Sequence, residues 1–286
     1  MRLPCDYNIY ATLLDSYRNM MESDKVWLTY WGNSKEPPHT MEQFHWLQVE
    51  QFIDGINHVD GEPSYHASRG TAFNELIDSL VEWRKPSIKA ERGDGVVTCE
   101  LDGFEFVFPT TLLKAVAARY DGAVCQYLTS GTMRTSAGIV RLYGYIDELL
   151  PDMVVDIKTT TRYEYPKFSD NAQHLVYPWC LRQEGMMLDT FRYDVVVFSD
   201  YAAPEMFEEV YNWQDDNERI LRERVEDVCG WIDRYRAIIQ NPAIFGKPRT
   251  DDYVGVPVVE SSRTGLDAEC KELLDNINKT HLELGK

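Results

Sequence analysis

The sequence lacks both long hydrophobic runs and closely spaced cysteines. No apolar segment approaches the roughly 20 residues of a membrane-spanning helix, and the N-terminal residues lack the apolar stretch of a signal peptide. We therefore expect a cytoplasmic protein with no membrane partner. The six cysteines are scattered and form no CxxC pair. This spacing argues against a disulfide framework or a zinc ribbon, and we expect no iron–sulfur cluster.

Positive charge is also scarce in this chain. It has 29 Lys and Arg residues against 47 Asp and Glu residues, which gives a formal net charge of −18. Proteins that bind nucleic acid mainly through phosphate neutralisation tend to be basic, so the composition argues against strong non-specific binding. An acidic protein that acts on DNA must concentrate its cations in one groove, carry metal ions or gain affinity from a partner.

The order of the predicted elements favours one elaborated domain of the α/β (α+β) class, spanning 1–286. A chain of 286 residues can bury one substantial core. We expect a helical cap at 1–63 and a core at 64–240, in which helices flank a central mixed β-sheet. A tail at 241–286 is poorly patterned until a short polar helix near its end.

Hydrophobic periodicity predicts the individual elements. Residues 6–58 are expected to be mostly helical, because Tyr7, Tyr10 and Leu13 lie near helical spacing. The pair Asp102-Gly103 is typical of a β-hairpin turn. The other predicted elements are helices at about 68–83, 110–120, 170–184 and 217–240, and strands near 123–128, 139–150, 153–158, 192–198 and 207–213.

The segment 144–158 contains a second predicted hairpin with an unusual pair of acidic residues. Its turn is the pair Pro151-Asp152, because proline suits the first central position of a tight turn. A hairpin centred there places Asp147 opposite Asp156. Directly opposed side chains lie about 5 Å apart at Cβ, and like charges there are destabilising. The pair is therefore a liability unless a hard divalent cation lies between the carboxylates.

Strand alternation adds a lysine to the same site. Asp156 and Lys158 are two residues apart, so both project from the same face as Asp147. Ile157 points into the core, and its carbonyl oxygen is a further candidate metal ligand. Two carboxylates and an ammonium group predict metal-assisted hydrolysis, with Mg²⁺ or Mn²⁺ activating water and the lysine stabilising developing charge. The alternative is a surface hairpin with a Lys–Asp ion pair.

Two predicted helices carry polar pairs at the edge of their apolar faces. Gln173 and Tyr177 are one turn apart and could hold a phosphate or a water molecule through hydrogen bonds. Asn74 and Asp78 occupy the equivalent edge of the earlier helix. Gly70 lies near the apolar face of that helix, where its missing side chain permits close packing.

These segments follow the order of the motifs of a known family. The set Arg-Gly-Thr-Ala-Phe-Asn-Glu at 69–75, Gly-Tyr-Ile-Asp at 144–147, Asp-Ile-Lys-Thr-Thr at 156–160 and Gln-His-Leu-Val-Tyr at 173–177 resembles the four motifs of the RecB-like branch of the PD-(D/E)XK nuclease superfamily. The resemblance covers roughly residues 64–240 and is closest to phage-type recombination exonucleases. It implies a restriction-endonuclease-like core with an N-terminal helical cap and a C-terminal helix.

The resemblance also implies roles for five residues. Asp147 and Asp156 would be ligands of Mg²⁺ or Mn²⁺, and Lys158 would be the catalytic lysine. Gln173 and Tyr177 would be the family's trailing pair, which positions the lysine and the DNA.

One position departs from the family pattern. The family has a histidine, or in some exonucleases a glutamate, four residues after the glycine, where this chain has Asn74. An amide oxygen can bind a hard cation but brings no charge. Either metal affinity is lower, or Asp78 compensates as an additional ligand, or activity is impaired.

The candidate DNA contacts are basic residues near these motifs in sequence. As a set they are the predicted groove that binds the phosphate backbone, and they are Lys114, Arg119, Arg134, Arg141, Arg162 and Lys167.

Three functional hypotheses follow. The first is an exonuclease that resects double-stranded DNA ends in recombination, with DNA and a single-strand annealing protein as partners. The second keeps the chemistry but makes the protein a structure-specific or restriction-type endonuclease. The third, from another class, is a catalytically impaired nuclease fold that acts as a DNA- or protein-binding module.

Overall fold

The computed structural model describes residues 5–59, 61–199 and 203–246, and its strands form two sheets. In chain order the strands are β1 (Tyr7–Tyr10), β2 (Lys89–Arg92), β3 (Val96–Leu101), β4 (Phe104–Pro109), β5 (Val124–Thr135), β6 (Gly138–Leu149), β7 (Met153–Thr160), β8 (Thr190–Val197) and β9 (Glu205–Asn212). The helices are α1 (Ala11–Met21), α2 (Ser23–Trp31), α3 (Met41–Asn57), α4 (Tyr65–Val81), α5 (Thr110–Ala117), α6 (Gln173–Gln183) and α7 (Asn217–Arg234), with short 3₁₀ helices at Ala118–Tyr120, Arg236–Ile238 and Pro242–Ile244.

The larger sheet has six strands in mixed orientation. Its order is β1-β6-β7-β8-β9, and β5 also pairs with β6. β1 runs parallel to β6 and β7 runs parallel to β8, whereas the other neighbours are antiparallel. The predicted fold class is thus confirmed: helices flank a central mixed sheet, with helices at the N-terminal side and α7 towards the C-terminus.

Strand β6 pairs with two different strands, β1 and β7, along one of its edges. β5 pairs with β6 from Gly138 to Leu149 and so occupies the other edge. β1 pairs with β6 up to Tyr143, and β7 pairs with it only at Glu148 and Leu149. Residues 144–147 therefore lie between the ends of β1 and β7 and pair with neither strand. This opening in the sheet is where the predicted acidic residues lie.

The two faces of the large sheet are covered by different layers. On one face, residues of α1, α3, α6 and α7 form a core that includes Leu13, Phe52, Trp179 and Val225. On the other face, α4, α5 and the three-stranded sheet β2-β3-β4 pack around Phe73 and neighbouring residues. β7 lies between the two cores, because Val154 belongs to the first and Val155 to the second. Burial on both faces explains the apolar run at 153–155 with which β7 begins.

The N-terminal prediction was wrong in one respect. Tyr7 and Tyr10 lie in strand β1 and not in a helix. Tyr7 and Ile9 are buried in the core, so the segment is apolar on the face that the sheet buries. A strand of four residues is too short for its twofold alternation to stand out beside the helical pattern of α1. The region predicted as a helical cap therefore also contributes a strand to the central sheet.

The predicted hairpin at Asp102-Gly103 is confirmed. Both residues have positive φ angles, 55° and 80°, and they connect β3 to β4. Such a turn matches the twist of the flanking strands. The predicted polar helix near the C-terminus lies outside the described residues. Within the part of the chain that the structure describes, we find no helix with the length and apolarity required to cross a membrane.

Candidate active site

The hairpin between β6 and β7 has the predicted register at its turn but not at its acidic pair. Glu148 lies opposite Val155 and Leu149 opposite Val154, as the sequence predicted. The ladder ends there, so Asp147 and Asp156 do not form a pair across it. Instead the backbone N–H of Ile157 donates a hydrogen bond to Asp147 Oδ2, at 2.8 Å.

A local break in strand alternation explains the difference. Ile146 and Leu149 are three residues apart, yet both belong to the same hydrophobic core, which strict alternation does not allow. On the adjacent strand, Gln126 has a positive φ of 51° and occupies the register position opposite Asp147. β5 and β6 are therefore distorted together at this point. The distortion brings the Asp147 side chain into the opening between β6 and β7.

Two amide side chains also contact Asp147. Asn74 Nδ2 lies 3.4 Å from Asp147 Oδ2, and Gln126 Nε2 lies 3.5 Å from Oδ1. Burial raises the pKa of Asp147 to about 8, and the negative charge of Asp156 adds to this effect. The charge of Lys158 and the hydrogen bond from Ile157 act in the opposite direction but are weaker. Without a further cation, the ionised form of Asp147 is therefore disfavoured at neutral pH.

Asp156 lies at the centre of a compact polar group. Its side chain is only 2% exposed, and Lys158 Nζ forms an ion pair with Oδ1 at 2.6 Å. Gln173 Nε2 donates to Asp156 Oδ2 at 2.5 Å and also contacts the hydroxyl of Tyr177 at 3.4 Å. Burial lowers the pKa of Lys158, but Asp156 and Asp147 raise it more, so it lies above the usual value. The lysine is therefore an ammonium group at neutral pH.

Two glycines allow helices to approach this site closely. A Cβ atom on Gly70 of α4 would lie 2.9 Å from Thr159 Oγ1 on β7. A Cβ atom on Gly144 of β6 would lie 2.5 Å from Cε1 of Tyr177 on α6. Both distances are shorter than a real Cβ contact permits. The close packing that the sequence predicted for Gly70 is confirmed, and Gly144 does the same for Tyr177.

The two predicted ligands on α4 lie in different surroundings. Asn74 contacts Asp147 through its amide nitrogen. Asp78, which is 2% exposed, lies instead beside Glu148 and Cys125. Burial raises its pKa to about 6. The assignment of Asn74, Asp78 and the Ile157 carbonyl as ligands stays a prediction.

Gln126 and Glu148 lie near the site but were not predicted from the sequence. Glu148 follows Asp147 directly, so strict alternation assigns it to the opposite face of the sheet. Gln126 could be found only from the register between β5 and β6, which no local signal in the sequence determines. The one available signal for Glu148 was its position as an acidic residue between Asp147 and the apolar end of β6.

The donor atoms fit a hard divalent cation. Asn74 Oδ1 and Gln173 Oε1 are buried acceptors without a hydrogen-bond partner in the described part of the chain. Buried polar groups are normally paired, so such atoms mark a place for a ligand or water. One ammonium group, that of Lys158, faces the carboxylates of both Asp147 and Asp156. An additional positive charge would satisfy the acceptors and remove the repulsion.

A cleft of about 540 Å³ lies beside the polar group. Tyr177 and Gly144 line it, so the cleft adjoins the residues that hold Asp156. Three further aromatic side chains line its walls, from Tyr10, Tyr143 and Tyr145. Tyr145 is 54% exposed and is available to a ligand in the cleft.

The basic residues predicted to contact DNA lie in different environments. Arg119 forms ion pairs with Asp194 and Glu208, so its charge is already neutralised. Lys167 Nζ binds the hydroxyl of Thr160 and the carbonyl of Arg162, just after β7. The remaining residues are Lys114 on α5, Arg134 on β5, Arg141 on β6 and the exposed Arg162 just after β7. Their role in DNA binding stays a prediction.

Comparisons with known proteins give only distant similarities. No family model matches the chain, and no curated protein matches it. The crystal structure of a protein named SSO0001 is similar at a TM-score of 0.35 and 13% identity, over 85% of this chain and 89% of that one. A protein of Eubacterium rectale, described provisionally as an exonuclease, is similar at a TM-score of 0.39 and 14% identity, over 77% of this chain and 79% of that one. Similarities at this level are too low to support an inference about function.

Proposed function

We propose that this protein is a metal-dependent nuclease that hydrolyses phosphodiester bonds of DNA. The observation that supports it most strongly is the convergence of the half-buried carboxylate of Asp147 and the buried carboxylate of Asp156 with the ammonium group of Lys158. Carboxylate pairs of this kind are costly in an apolar environment and are typical of sites that hold Mg²⁺ or Mn²⁺. The resemblance of the surrounding motifs to those of PD-(D/E)XK nucleases points to the same chemistry.

Asp147 and Asp156 would hold the ion, with Asn74 Oδ1 as a neutral ligand. The bound ion would polarise the scissile phosphate and lower the pKa of a water molecule. Lys158 would hold that water or stabilise the negative charge that develops on the phosphate. Gln173 keeps Asp156 in place through its hydrogen bond at 2.5 Å, and Tyr177 supports Gln173. These two residues therefore position the reacting groups.

The cleft beside the site suits a nucleic-acid strand. Its tyrosine side chains offer aromatic surfaces for bases, and stacking of this kind tolerates any sequence. We favour an exonuclease that resects duplex ends in recombination, together with a single-strand annealing protein as partner. An endonuclease of the structure-specific or restriction type is the second version of the same chemistry.

Digestion of matched DNA substrates tests the proposal. Linear duplex DNA and covalently closed circular DNA of the same sequence are incubated with the protein in Mg²⁺, Mn²⁺ or EDTA. We expect nucleotides to be released from linear DNA with either metal, no reaction in EDTA and no cutting of closed circles. Cutting of closed circles would replace the exonuclease with an endonuclease. No hydrolysis of any DNA in either metal would overturn the proposal.

A binding module without catalysis is the competing proposal. Asn74 in place of a charged ligand and the net charge of −18 favour it. Against it, a protein without catalysis gains nothing from two carboxylates that repel each other beside a half-buried lysine. DNA binding that is unchanged by EDTA, together with no hydrolysis, would support the binding module.

A further inference from the structure

A second group of metal-ligand side chains lies next to the candidate active site. Asp78 of α4, Cys125 of β5 and Glu148 of β6 each offer one ligand atom, and these atoms lie within 4.8 Å of one another. The three residues are 2%, 8% and 0% exposed. They come from three separate elements, so only the folded chain brings them together.

The hydrogen bonding of this group is incomplete. The Cys125 thiol donates to Glu148 Oε2 at 3.1 Å. The side chain of Gln126 donates a hydrogen bond to the Asp78 carboxylate, and the carboxyl groups of Asp78 and Glu148 lie within hydrogen-bond reach of each other. Glu148 Oε1 and Asp78 Oδ1 are buried and accept no hydrogen bond from a donor within the described ranges. A buried carboxylate oxygen without a donor is unfavourable, and two adjacent carboxylates also repel each other. These unpartnered atoms of almost fully buried side chains indicate a missing positive ligand.

We propose that Asp78, Cys125 and Glu148 bind a divalent cation of the Zn²⁺ type. The donor set combines one sulfur and two oxygen atoms, which suits a borderline ion such as Zn²⁺ or Co²⁺. Mg²⁺ prefers oxygen ligands and retains water, so a buried site with a thiol disfavours it. Binding would release the proton of Cys125 to solvent, because the thiolate is the ligand form.

This second ion would differ in role from the ion held by Asp147 and Asp156. Its ligands connect α4 to β5 and β6, so its binding would stabilise the packing of the helix on the sheet. Gln126, next to Cys125, contacts Asp147 at 3.5 Å. An ion bound to Cys125 would therefore fix the distorted part of β5. It would also fix the position of Gln126 beside Asp147. The inference does not depend on the proposed nuclease activity.

A shared proton is the alternative explanation for the same geometry. One of the two carboxyl groups of Asp78 and Glu148 could remain protonated and donate to the other. That arrangement needs no metal and leaves Cys125 as a thiol. The two explanations differ in whether a sulfur–metal bond forms, which can be measured directly.

Absorption spectroscopy of the full-length protein with Co²⁺ distinguishes them. A thiolate bound to Co²⁺ gives a charge-transfer band in the near ultraviolet, whereas carboxylate ligands do not. We expect the wild-type protein to show this band at saturation with a single ion, and Zn²⁺ to displace it. Cys125→Ala should lose the band, and Glu148→Gln should weaken Co²⁺ binding by at least ~10-fold. Cys180→Ala, which removes another buried thiol, should retain the band.

The outcomes separate this inference from the proposed function. Asp156→Asn should retain the band even though it loses nuclease activity, and loss of the band in that variant would place the ion at the other site. No band in the wild-type protein would overturn the inference in favour of the shared proton, even if Cys125→Ala does not fold. A band in a protein without nuclease activity would leave the inference intact and overturn the function.

Discussion

The ring of Tyr177 packs against strand β6 at Gly144, where only a residue without a side chain leaves room for it. An added Cβ at Gly144 would lie 2.5 Å from the tyrosine ring, so the ring would have to move. The Tyr177 hydroxyl would then leave Gln173, which holds Asp156. A displacement of about 1 Å in a catalytic group costs roughly 10²-fold in rate.

We therefore predict that Gly144→Ala lowers the rate of DNA hydrolysis by ~10²-fold while the protein remains folded. The measurement is kcat/KM on linear duplex DNA, with circular dichroism to verify the fold. Gly230→Ala on α7 is the matched control, because nothing lies within 4 Å of its added Cβ. Equal activity of both variants would show that the position of Tyr177 does not matter for the reaction.

At the scale of elements, Asp15 connects two helices that cover the same face of the sheet. It belongs to α1, and its Oδ1 accepts a hydrogen bond from the backbone N–H of Ala172, which precedes α6, at 2.7 Å. Burial raises the pKa of Asp15 to about 6, although this hydrogen bond lowers it somewhat. The folded state therefore favours the protonated form more than the unfolded chain does.

The sign of the pH dependence follows from that shift. The unfolded pKa is 3.8 and the folded pKa is about 6. The stability that Asp15 contributes is fully present below about pH 4 and is lost as pH rises through 6. We predict that Asp15→Asn, which keeps an acceptor at this position, removes this part of the pH dependence. Urea unfolding of both proteins between pH 4 and 7 measures it. If the free energies of unfolding of the wild type and Asp15→Asn change in parallel with pH, the raised pKa assigned to Asp15 is wrong.

Much of the element order could be predicted from sequence, because the signals are local. The turn at Pro151-Asp152 determined the register of the hairpin near Glu148, and the periodicity of α4 determined which face it buries. The paired distortion at Gln126 and Asp147 could not be predicted. It lies at the end of the β5–β6 hairpin that is far from the connecting turn, and alternation rules assume that neither strand is distorted.

The candidate site shows the same division between local and long-range information. Asp156, Lys158 and Gln173 were predicted from spacing and motif, and the structure brings them into contact. Glu148 was missed, because its neighbours Asp78 and Cys125 come from other elements. Residues that meet only through tertiary packing leave no spacing signal in the chain.

At the scale of the whole molecule, the excess of acidic residues means that a bound cation has a large effect on the stability of the folded state. The formal net charge is −18, and one ammonium group faces the two carboxylates of the site. A ligand that binds only the folded state stabilises it by about 2.7 kcal/mol at a concentration of 100 Kd. For a chain of this size that corresponds to a rise in Tm of about 5–10 °C.

We accordingly predict that saturating Mg²⁺ at neutral pH raises the Tm of the wild-type protein by about 5–10 °C. Differential scanning fluorimetry measures the shift. Asp147→Asn should abolish it, whereas Asp152→Asn should keep it, because Asp152 is an exposed residue of the turn. The same Mg²⁺ shift in both variants would mean that the ion binds elsewhere.

The central claim is that Asp156 takes part in metal-dependent hydrolysis, and one comparison tests it most directly. Release of label from end-labelled linear duplex DNA in Mg²⁺ is measured for the wild-type protein, Asp156→Asn and the charge-matched control Asp152→Asn. We predict that the wild type and the control release label at similar rates, and that Asp156→Asn is slower by at least ~10²-fold. Wild-type rates in Asp156→Asn would contradict the account.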